Sequence, residues 1–205
     1  ITTRLVGSEM CIRDRYMIRQ ETENAKKGLP SGITVKVNSL VDPKIIELLY
    51  EASKAGVRVQ LIVRGICCLI PGIEGVSENI TVMSIVGQLL EHSRIFRFEN
   101  AGNPRIYMGS ADWMPRNLDR RVELVFPIED ETQKARAFGI LDTMLSDTTN
   151  ARFMQSDTSY EHVDLRGKKK ISSQLTFYHE AQARLKELQS IEKDSVLIPI
   201  HSAEE

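Results

Sequence analysis

The feature that most constrains the fold is a strand-helix-strand pattern in the first third of the chain. Residues 33–38 alternate in polarity and are rich in β-branched side chains, which predicts a strand. Asp42 and Pro43 then supply a helix cap and a first-turn proline, and apolar residues at helical spacing continue until Gly56. Residues 57–63 form a second predicted strand. Such a unit is almost always a right-handed crossover, so the two strands are predicted to be parallel neighbours in one sheet.

Further elements are predicted by the same patterns. Short strands are predicted at 80–83, 94–98, 105–108 and 121–126, the middle two as a hairpin. Helices are predicted at 16–27, 85–91, 131–145 and 172–188. In the strand 121–126, period two places Val122, Leu124 and Phe126 on the core face. Arg121 and Glu123 then share the opposite face. The predicted class is α/β, with a mixed β-sheet flanked by helices.

The first fifteen residues differ in character from the rest of the chain. Residues 1–15 have neither a helical nor a strand period, and residues 6–15 are typical of translated sequencing-adapter sequence. We therefore predict a non-native segment at 1–15, one domain at 16–190 and a loose tail at 191–205. A native chain interrupted at this point would lack everything upstream.

Composition excludes several function classes. Lys+Arg 27 against Asp+Glu 28 gives a net charge of -1, so binding to nucleic acid or membrane through bulk charge is not expected. No apolar run reaches the ~18 residues of a membrane span, and the N-terminus lacks a signal-peptide pattern. A cytoplasmic location is predicted, with peripheral attachment to a membrane left open. Cys11, Cys67 and Cys68 are expected to be reduced, and no spacing of ligands predicts a metal site.

Residues 64–94 suggest an anion site with a proton-transfer group. Ligands gather outside the carboxyl ends of parallel strands, where Asn38 and Arg64 are expected, and Gly65 would let backbone N–H groups approach a phosphate. If a strand begins near His92, period two places it beside Arg94, whose charge favours a neutral imidazole. The alternatives are an arginine paired with a surface carboxylate and a histidine with a structural role.

A third candidate is the segment 109–123. It combines small residues with an acid, an amide and several arginines, which makes a phosphate-binding loop plausible, whereas the alternative is a surface loop with solvated charges. Trp113 is expected to be a packing anchor.

These residues together resemble the C-terminal catalytic domain of polyphosphate kinases of the first type. The blocks that carry the resemblance are 38–42, 61–67, 84–87, 90–94, 98–100 and 109–114, together with Arg116-Asn117. It extends over about residues 16–178. The family's catalytic part is built from two halves similar to phospholipase D, and His92, Arg94 and Glu99 form a loosened His-x-Lys-x4-Asp pattern.

The resemblance implies a function and a set of partners. Members of the family reversibly transfer the terminal phosphate of ATP to polyphosphate through a phosphohistidine, which belongs to the other half and is not in this sequence. Mg²⁺ is the implied cofactor, with its ligands outside this sequence. The implied partners are ATP or ADP, polyphosphate, the missing upstream half and, at full length, further copies of the enzyme, but not nucleic acid. The fragment by itself is expected to be inactive.

The resemblance also assigns residues. Arg64 matches the arginine that contacts the nucleotide phosphates, and His92 matches a second essential histidine proposed as the acid/base partner. Arg121 and Glu123 match polar residues at the same pocket.

Two other functions stay open at this point. A phospholipase D-type phosphodiesterase would need its own histidine nucleophile and a lysine where Arg94 stands. A non-catalytic polyanion-binding module is the second alternative.

Overall fold

The described part of the chain forms one eight-stranded sheet with helices on both faces. The computed structural model describes residues 3–167 and 169–194, with side chains at 13–118, 120–167 and 169–190. The strands are β1 (Gly32–Val37), β2 (Arg58–Val63), β3 (Ile80–Ile85), β4 (Ile95–Phe98), β5 (Arg105–Gly109), β6 (Val125–Pro127), β7 (Ala151–Met154) and β8 (Tyr160–His162). The helices are α1 (Thr3–Lys26), α2 (Pro43–Lys54), α3 (Pro115–Asp119), α4 (Glu131–Leu145) and α5 (Ser173–Asp194).

The predicted crossover lies at the centre of this sheet. β1 and β2 are parallel and in register from Gly32↔Arg58 to Val37↔Val63. The Asp42 side chain accepts the Ile45 N–H at 2.9 Å and so caps α2, as its position in the sequence predicts. This unit is confirmed.

The sheet is mixed, as predicted. Its strand order is β6-β5-β4-β1-β2-β3-β7-β8, in which β1, β2 and β3 are parallel and the other pairs are antiparallel. The predicted hairpin is present as β4 and β5. The α/β fold class with flanking helices is therefore confirmed.

Each face of the sheet carries its own apolar core. One core joins the sheet to α1 and α2 and includes Ile18, Val35, Leu49, Leu61 and Phe96. The other core lies between the sheet and α4 and includes Ile62, Ile95, Ile106, Leu141 and Met144. Because both faces are covered, a polar residue on a central strand is buried whichever way it points.

Helix α1 crosses the boundary predicted at residue 15. The described part of residues 1–15 is helical, since α1 begins at Thr3, although its sequence shows no helical period. The buried Asp14 carboxylate accepts the indole N–H of Trp113 at 3.0 Å, and Arg13 Nη1 donates to the Val125 carbonyl at 3.0 Å. Trp113 is fully buried, which confirms it as a packing anchor. The proposed non-native origin of the segment stays a prediction.

The predicted helix 85–91 is wrong. β3 extends to Ile85, and residues 86–94 form a loop. The Gln174 side chain hydrogen-bonds both backbone polar groups of Leu89. It donates to the Leu89 carbonyl at 2.7 Å and accepts the Leu89 N–H at 3.0 Å. Backbone groups that bind a distant side chain in this way cannot form the i to i−4 bonds of a helix.

The predicted strand 121–126 is also mostly wrong. Only its end belongs to β6, while Val122, Leu124 and Phe126 are exposed by 67%, 63% and 43%. Glu123 is the buried residue of this segment, with 8% exposure. Its carboxylate binds other side chains, which draws it inward and turns the neighbouring apolar residues outward.

The C-terminal third adds two strands that the sequence analysis missed, β7 and β8. The predicted helices 131–145 and 172–188 are confirmed as α4 and α5. Of the predicted tail, residues 195–205 lie outside the described residues. Within residues 3–167 and 169–194, no helix combines the length and apolarity needed to cross a membrane. The cytoplasmic location stays a prediction.

Candidate functional site

Asn38 and Arg64 lie side by side where β1 and β2 end. Because the two strands are parallel and in register, the residues immediately after them meet at one edge of the sheet. The Gly65 N–H donates to the Asn38 carbonyl at 2.8 Å, and a Cβ on Gly65 would stand only 3.0 Å from that oxygen. A larger residue at position 65 would therefore crowd the Asn38 carbonyl. The Gly65 N–H is bound to that carbonyl, so the expectation that it is directed at a ligand is wrong.

The loop segment 91–93 reaches the same edge. Arg64 Nη1 donates to the Glu91 carbonyl at 3.3 Å. Lys36 Nζ donates to the Ser93 carbonyl at 3.1 Å and lies 3.5 Å from that of Glu91. Two cationic side chains from neighbouring strands therefore hold the backbone of this loop.

Arg94 completes the set of cations. Its Nη1 donates to the His92 carbonyl at 2.8 Å, while its Nε and Nη2 reach the two carboxylate oxygens of Asp112 at 3.3 and 2.9 Å. Asp112 also accepts the backbone N–H groups of Asn38 at 2.6 Å and Ser39 at 3.3 Å. A paired arginine-carboxylate contact of this kind fixes the orientation of both side chains.

Burial and hydrogen bonding act in opposite directions on Asp112. Burial would raise the pKa of the Asp112 carboxyl, but the hydrogen bonds from Arg94 and the Asn38 N–H outweigh it and leave the pKa below the ordinary value. Asp112 is therefore ionised at neutral pH.

Lys36 is the residue that the sequence analysis missed. It alternates with Val35 and Val37 on β1, a pattern that also fits a solvent-exposed lysine, but here its face is covered by the core against α4. The side chain is buried, and burial lowers the pKa of Lys36 to about 8. Arg64 and Arg94 lower it further, while Glu91 and Asp112 oppose the change.

His92 is exposed at this edge, among the cations. Slight desolvation, then the charges of Arg94 and Arg64, hold the pKa of its imidazole below the ordinary 6.5. The side chain is therefore mainly neutral at pH 7. The expected placement of His92 and Arg94 on one face of a strand is wrong because β4 begins only at Ile95. The two residues are neighbours through the bond from Arg94 to the His92 carbonyl.

The other two predicted site residues lie on the segment between α3 and β6. Glu123 accepts hydrogen bonds from the Ser110 hydroxyl and the Asn117 amide, and Ser110 Oγ in turn accepts the Leu124 N–H at 3.1 Å. Arg121 is exposed. The contacts of Glu123 stabilise the 109–123 segment, whereas Arg64 and His92 are brought together by the loop 91–93. A role for Arg121 and Glu123 in phosphate binding stays a prediction.

The cysteines that the structure describes are free thiols. Cys67 is partly buried, and burial raises the pKa of its thiol to about 11, while Cys68 is exposed. The Cys11 side chain lies outside the described residues.

The donor chemistry of this edge does not fit a divalent cation. Its side chains are mostly cationic, and both oxygens of the Asp112 carboxylate are already bound by Arg94. Among the residues that the structure describes, no group of three or more His, Cys, Asp and Glu side chains is suited to hold a metal ion.

The fold and this edge define a class of protein, an α/β domain that gathers lysine and arginine side chains around an exposed histidine where parallel strands end. The family model for polyphosphate kinase C-terminal domain 2 matches residues 5–174. The chain belongs to this family.

Individual relatives agree with that assignment. The chain is 54% identical to a polyphosphate kinase of Lactiplantibacillus plantarum and 46% identical to that of Escherichia coli K12, over 79% of its own length in both cases. Those matches cover 23% and 24% of the two relatives, so the chain spans about a quarter of their length.

Solved structures match as well. The crystal structure of polyphosphate kinase from Porphyromonas gingivalis has a TM-score of 0.81 and 37% identity, covering 85% of this chain and 27% of that one. A phospholipase D family member, Nuc from Salmonella typhimurium, matches with a TM-score of 0.45 and 16% identity, over 67% of this chain and 91% of that one.

Proposed function

We propose that this domain forms the nucleotide side of an ATP:polyphosphate phosphotransferase. In this proposal Arg64 binds phosphate oxygens of ATP and His92 exchanges protons with the reacting phosphate. The nucleophilic histidine that carries the phosphoryl group comes from the other half of the catalytic part, outside this chain. The single observation that carries the proposal is the convergence of Arg64 and His92 at one sheet edge in a chain that belongs to the polyphosphate kinase family.

The charges at this edge suit phosphoryl transfer. In such reactions most of the catalysis comes from positioning the reactants and neutralising the charge on the equatorial phosphate oxygens. Arg64 offers planar paired donors, and its contact with the Glu91 carbonyl uses one of its five N–H groups and leaves others for a ligand. Arg94 is committed to Asp112 and His92, so its contribution is a fixed positive charge.

The imidazole suits proton exchange. An exposed, neutral His92 can accept a proton and, once protonated, donate it to a phosphate oxygen or the leaving group. The charges of Arg94 and Arg64 disfavour the protonated form of His92. An imidazolium that forms at this position therefore gives up its proton readily. Its place at the surface leaves it accessible to a substrate that bridges to the other half of the enzyme.

Mg²⁺ is part of the proposal only as the ion that accompanies the ATP phosphates. The cationic side chains at this edge are unsuited to bind it, so its protein ligands are proposed to lie outside this chain. When bound, the ion would neutralise charge on the phosphates, and neither the binding role of Arg64 nor the proton exchange of His92 depends on it.

The test uses a complete polyphosphate kinase that carries this domain. Polyphosphate formed from ATP is measured for the unaltered enzyme, for His92→Ala and for Arg64→Lys. The controls are two exposed positions, His162→Ala on β8, three strands away from β2, and Arg58→Lys at the opposite end of β2. Loss of synthesis in the first two variants and not in the controls is the expected result. Normal synthesis in both site variants would overturn the assignment of this edge.

A further inference from the structure

A buried lysine stands on the central strand of the sheet. Lys36 is 1% exposed, and its partners in the two neighbouring strands, Ile62 and Ile95, belong to the apolar core against α4. Burying an ammonium group is costly unless hydrogen bonds compensate it. A purely structural core would be served better by an aliphatic side chain, so the contacts of this amine indicate what it contributes.

Those contacts are with the two residues that flank His92. Lys36 Nζ donates to the Ser93 carbonyl at 3.1 Å and lies 3.5 Å from the Glu91 carbonyl. One amine therefore binds the backbone immediately before and immediately after the histidine. A lysine can do this because its three N–H donors sit on a single atom.

Packing alone does not hold this segment. A cavity of about 460 Å³ lies between β4, α4 and α5, and Glu91 and Ser93 are part of its wall. On that side the loop meets open space in place of packed side chains. Within the segment, the Glu91 carboxylate accepts the Ser93 N–H at 3.2 Å and the Ser93 hydroxyl at 2.5 Å. The hydrogen bonds from the cationic side chains are the contacts that attach this segment to the sheet edge.

We propose that Lys36 is a positioning residue for His92, which fixes the backbone on both sides of the imidazole and so sets its distance from the phosphate that Arg64 binds. This rests on the proposed function of His92 and Arg64. Lys36 itself is buried under the loop and touches no substrate. Its effect reaches the reaction only through the histidine.

The kinetic test is a double-mutant cycle in the complete kinase. Lys36→Met is expected to lower kcat roughly 10- to 100-fold, the scale on which misplacing a catalytic group acts, with a change in the KM for ATP of less than about threefold. In a His92→Ala background the same change is expected to cost less than about twofold, because the group that it positions is already absent. An equal loss in both backgrounds would overturn the proposal and show a merely structural role.

A second measurement reports the position of the segment that carries His92 and does not depend on enzymatic activity. In ¹H–¹⁵N spectra of the 205-residue chain, Lys36→Met is expected to shift the amides of residues 91–94 and the imidazole signals of His92. Thr34→Val is the control, because Thr34 lies one pleat earlier on the same face of β1 and is also buried. Unmoved signals in the 91–94 segment would overturn the proposal.

The two measurements separate this proposal from the proposed function. Normal turnover of His92→Ala would overturn the catalytic role of the histidine, and the amide shifts would still decide whether Lys36 positions it. If Lys36→Met does not fold, Lys36→Gln keeps an uncharged nitrogen with two N–H donors on a side chain that is one bond shorter. It is expected to lose less kcat than His92→Ala, and unchanged kcat in that variant would count against Lys36.

Discussion

Arg94 and Asp112 form a paired ion contact, although eighteen positions separate them in sequence. Nη2 lies 2.9 Å from Oδ2 and Nε lies 3.3 Å from Oδ1, and their side chains are only 11% and 9% exposed. Asp112 also accepts the Asn38 N–H, so the pair connects the end of β1 to the start of β4. The edge that holds His92 is thus built on one largely buried ion pair.

Removing one partner of this pair should destabilise the domain. We expect Asp112→Ala to lower the free energy of unfolding by about 3–5 kcal/mol, because the largely buried Arg94 would lose its countercharge and the Asn38 and Ser39 N–H groups would lose their acceptor. Glu23→Ala is the matched control, since Glu23 and Lys26 form an exposed pair whose loss should change the free energy of unfolding far less. Urea unfolding followed by circular dichroism measures both. Equal, small effects would show that the pair is solvated.

His92→Ala should reduce polyphosphate synthesis by roughly 10²-fold or more in a complete kinase, the usual scale for loss of a positioned acid/base group. The rate of polyphosphate formation at saturating ATP is the measurement. The protein should keep its fold, because the imidazole is exposed. Near-normal turnover would remove His92 from the reaction.

Arg64→Lys should raise the KM for ATP more than it lowers kcat. A lysine keeps the charge but cannot give planar paired donors to phosphate, and it has no second arm for the Glu91 carbonyl. Initial rates across a range of ATP concentrations separate the two constants. An unchanged KM would mean that Arg64 serves only the loop 91–93.

The 205-residue chain alone should not become labelled by ATP that carries a radioactive terminal phosphate. Covalent transfer needs the nucleophilic histidine of the other half, and His92 is proposed to act on protons. The chain is incubated with labelled ATP and Mg²⁺, separated on a gel and counted. Stable, stoichiometric labelling that disappears in His92→Ala would make His92 a nucleophile.

Lys36 should make the free energy of unfolding depend on pH in the alkaline range. Burial first, then Arg64 and Arg94, lower its pKa from 10.5 to about 8 in the folded chain, against Glu91 and Asp112. Between these two values the unfolded chain binds the extra proton, so the contribution of this group to the free energy of unfolding rises as pH increases from about 8 to 10.5. The rise is at most about 3 kcal/mol, at about 1.36 kcal/mol per pH unit.

The measurement is urea unfolding at several pH values. The pH-dependent rise should be absent in Lys36→Met and present in Lys134→Met, since Lys134 pairs with an exposed glutamate on α4. A rise of the same size in Lys36→Met would assign it to other groups.

Local signals in the sequence were enough to predict the central part of the fold. The cap at Asp42, the turn at Gly56 and the period-two strands gave β1, α2 and β2 and placed Arg64 at a strand end. Those signals act between near neighbours in the chain. They fail where a side chain that is distant in sequence hydrogen-bonds the backbone, as Gln174 does at Leu89.

The candidate site shows the same limit. His92 and Arg64 were identifiable by residue type and by resemblance, but Arg64 is held beside His92 by the carbonyl of Glu91, the last residue of a segment that was predicted to be a helix. Lys36 was missed because an alternating strand fits a half-exposed and a fully covered sheet equally well. Only the helix α4 on the second face makes that lysine a buried one.

The ends of the sheet have a consequence for handling the domain in solution. Both outermost strands are three residues long, β6 at Val125–Pro127 and β8 at Tyr160–His162, and Pro127 has no N–H to offer. Few unpaired backbone groups are therefore available to template a further strand from another molecule. Self-association of this chain should proceed through side-chain contacts between exposed apolar residues, and added salt or mild detergent should modulate it more than strand-blocking mutations do.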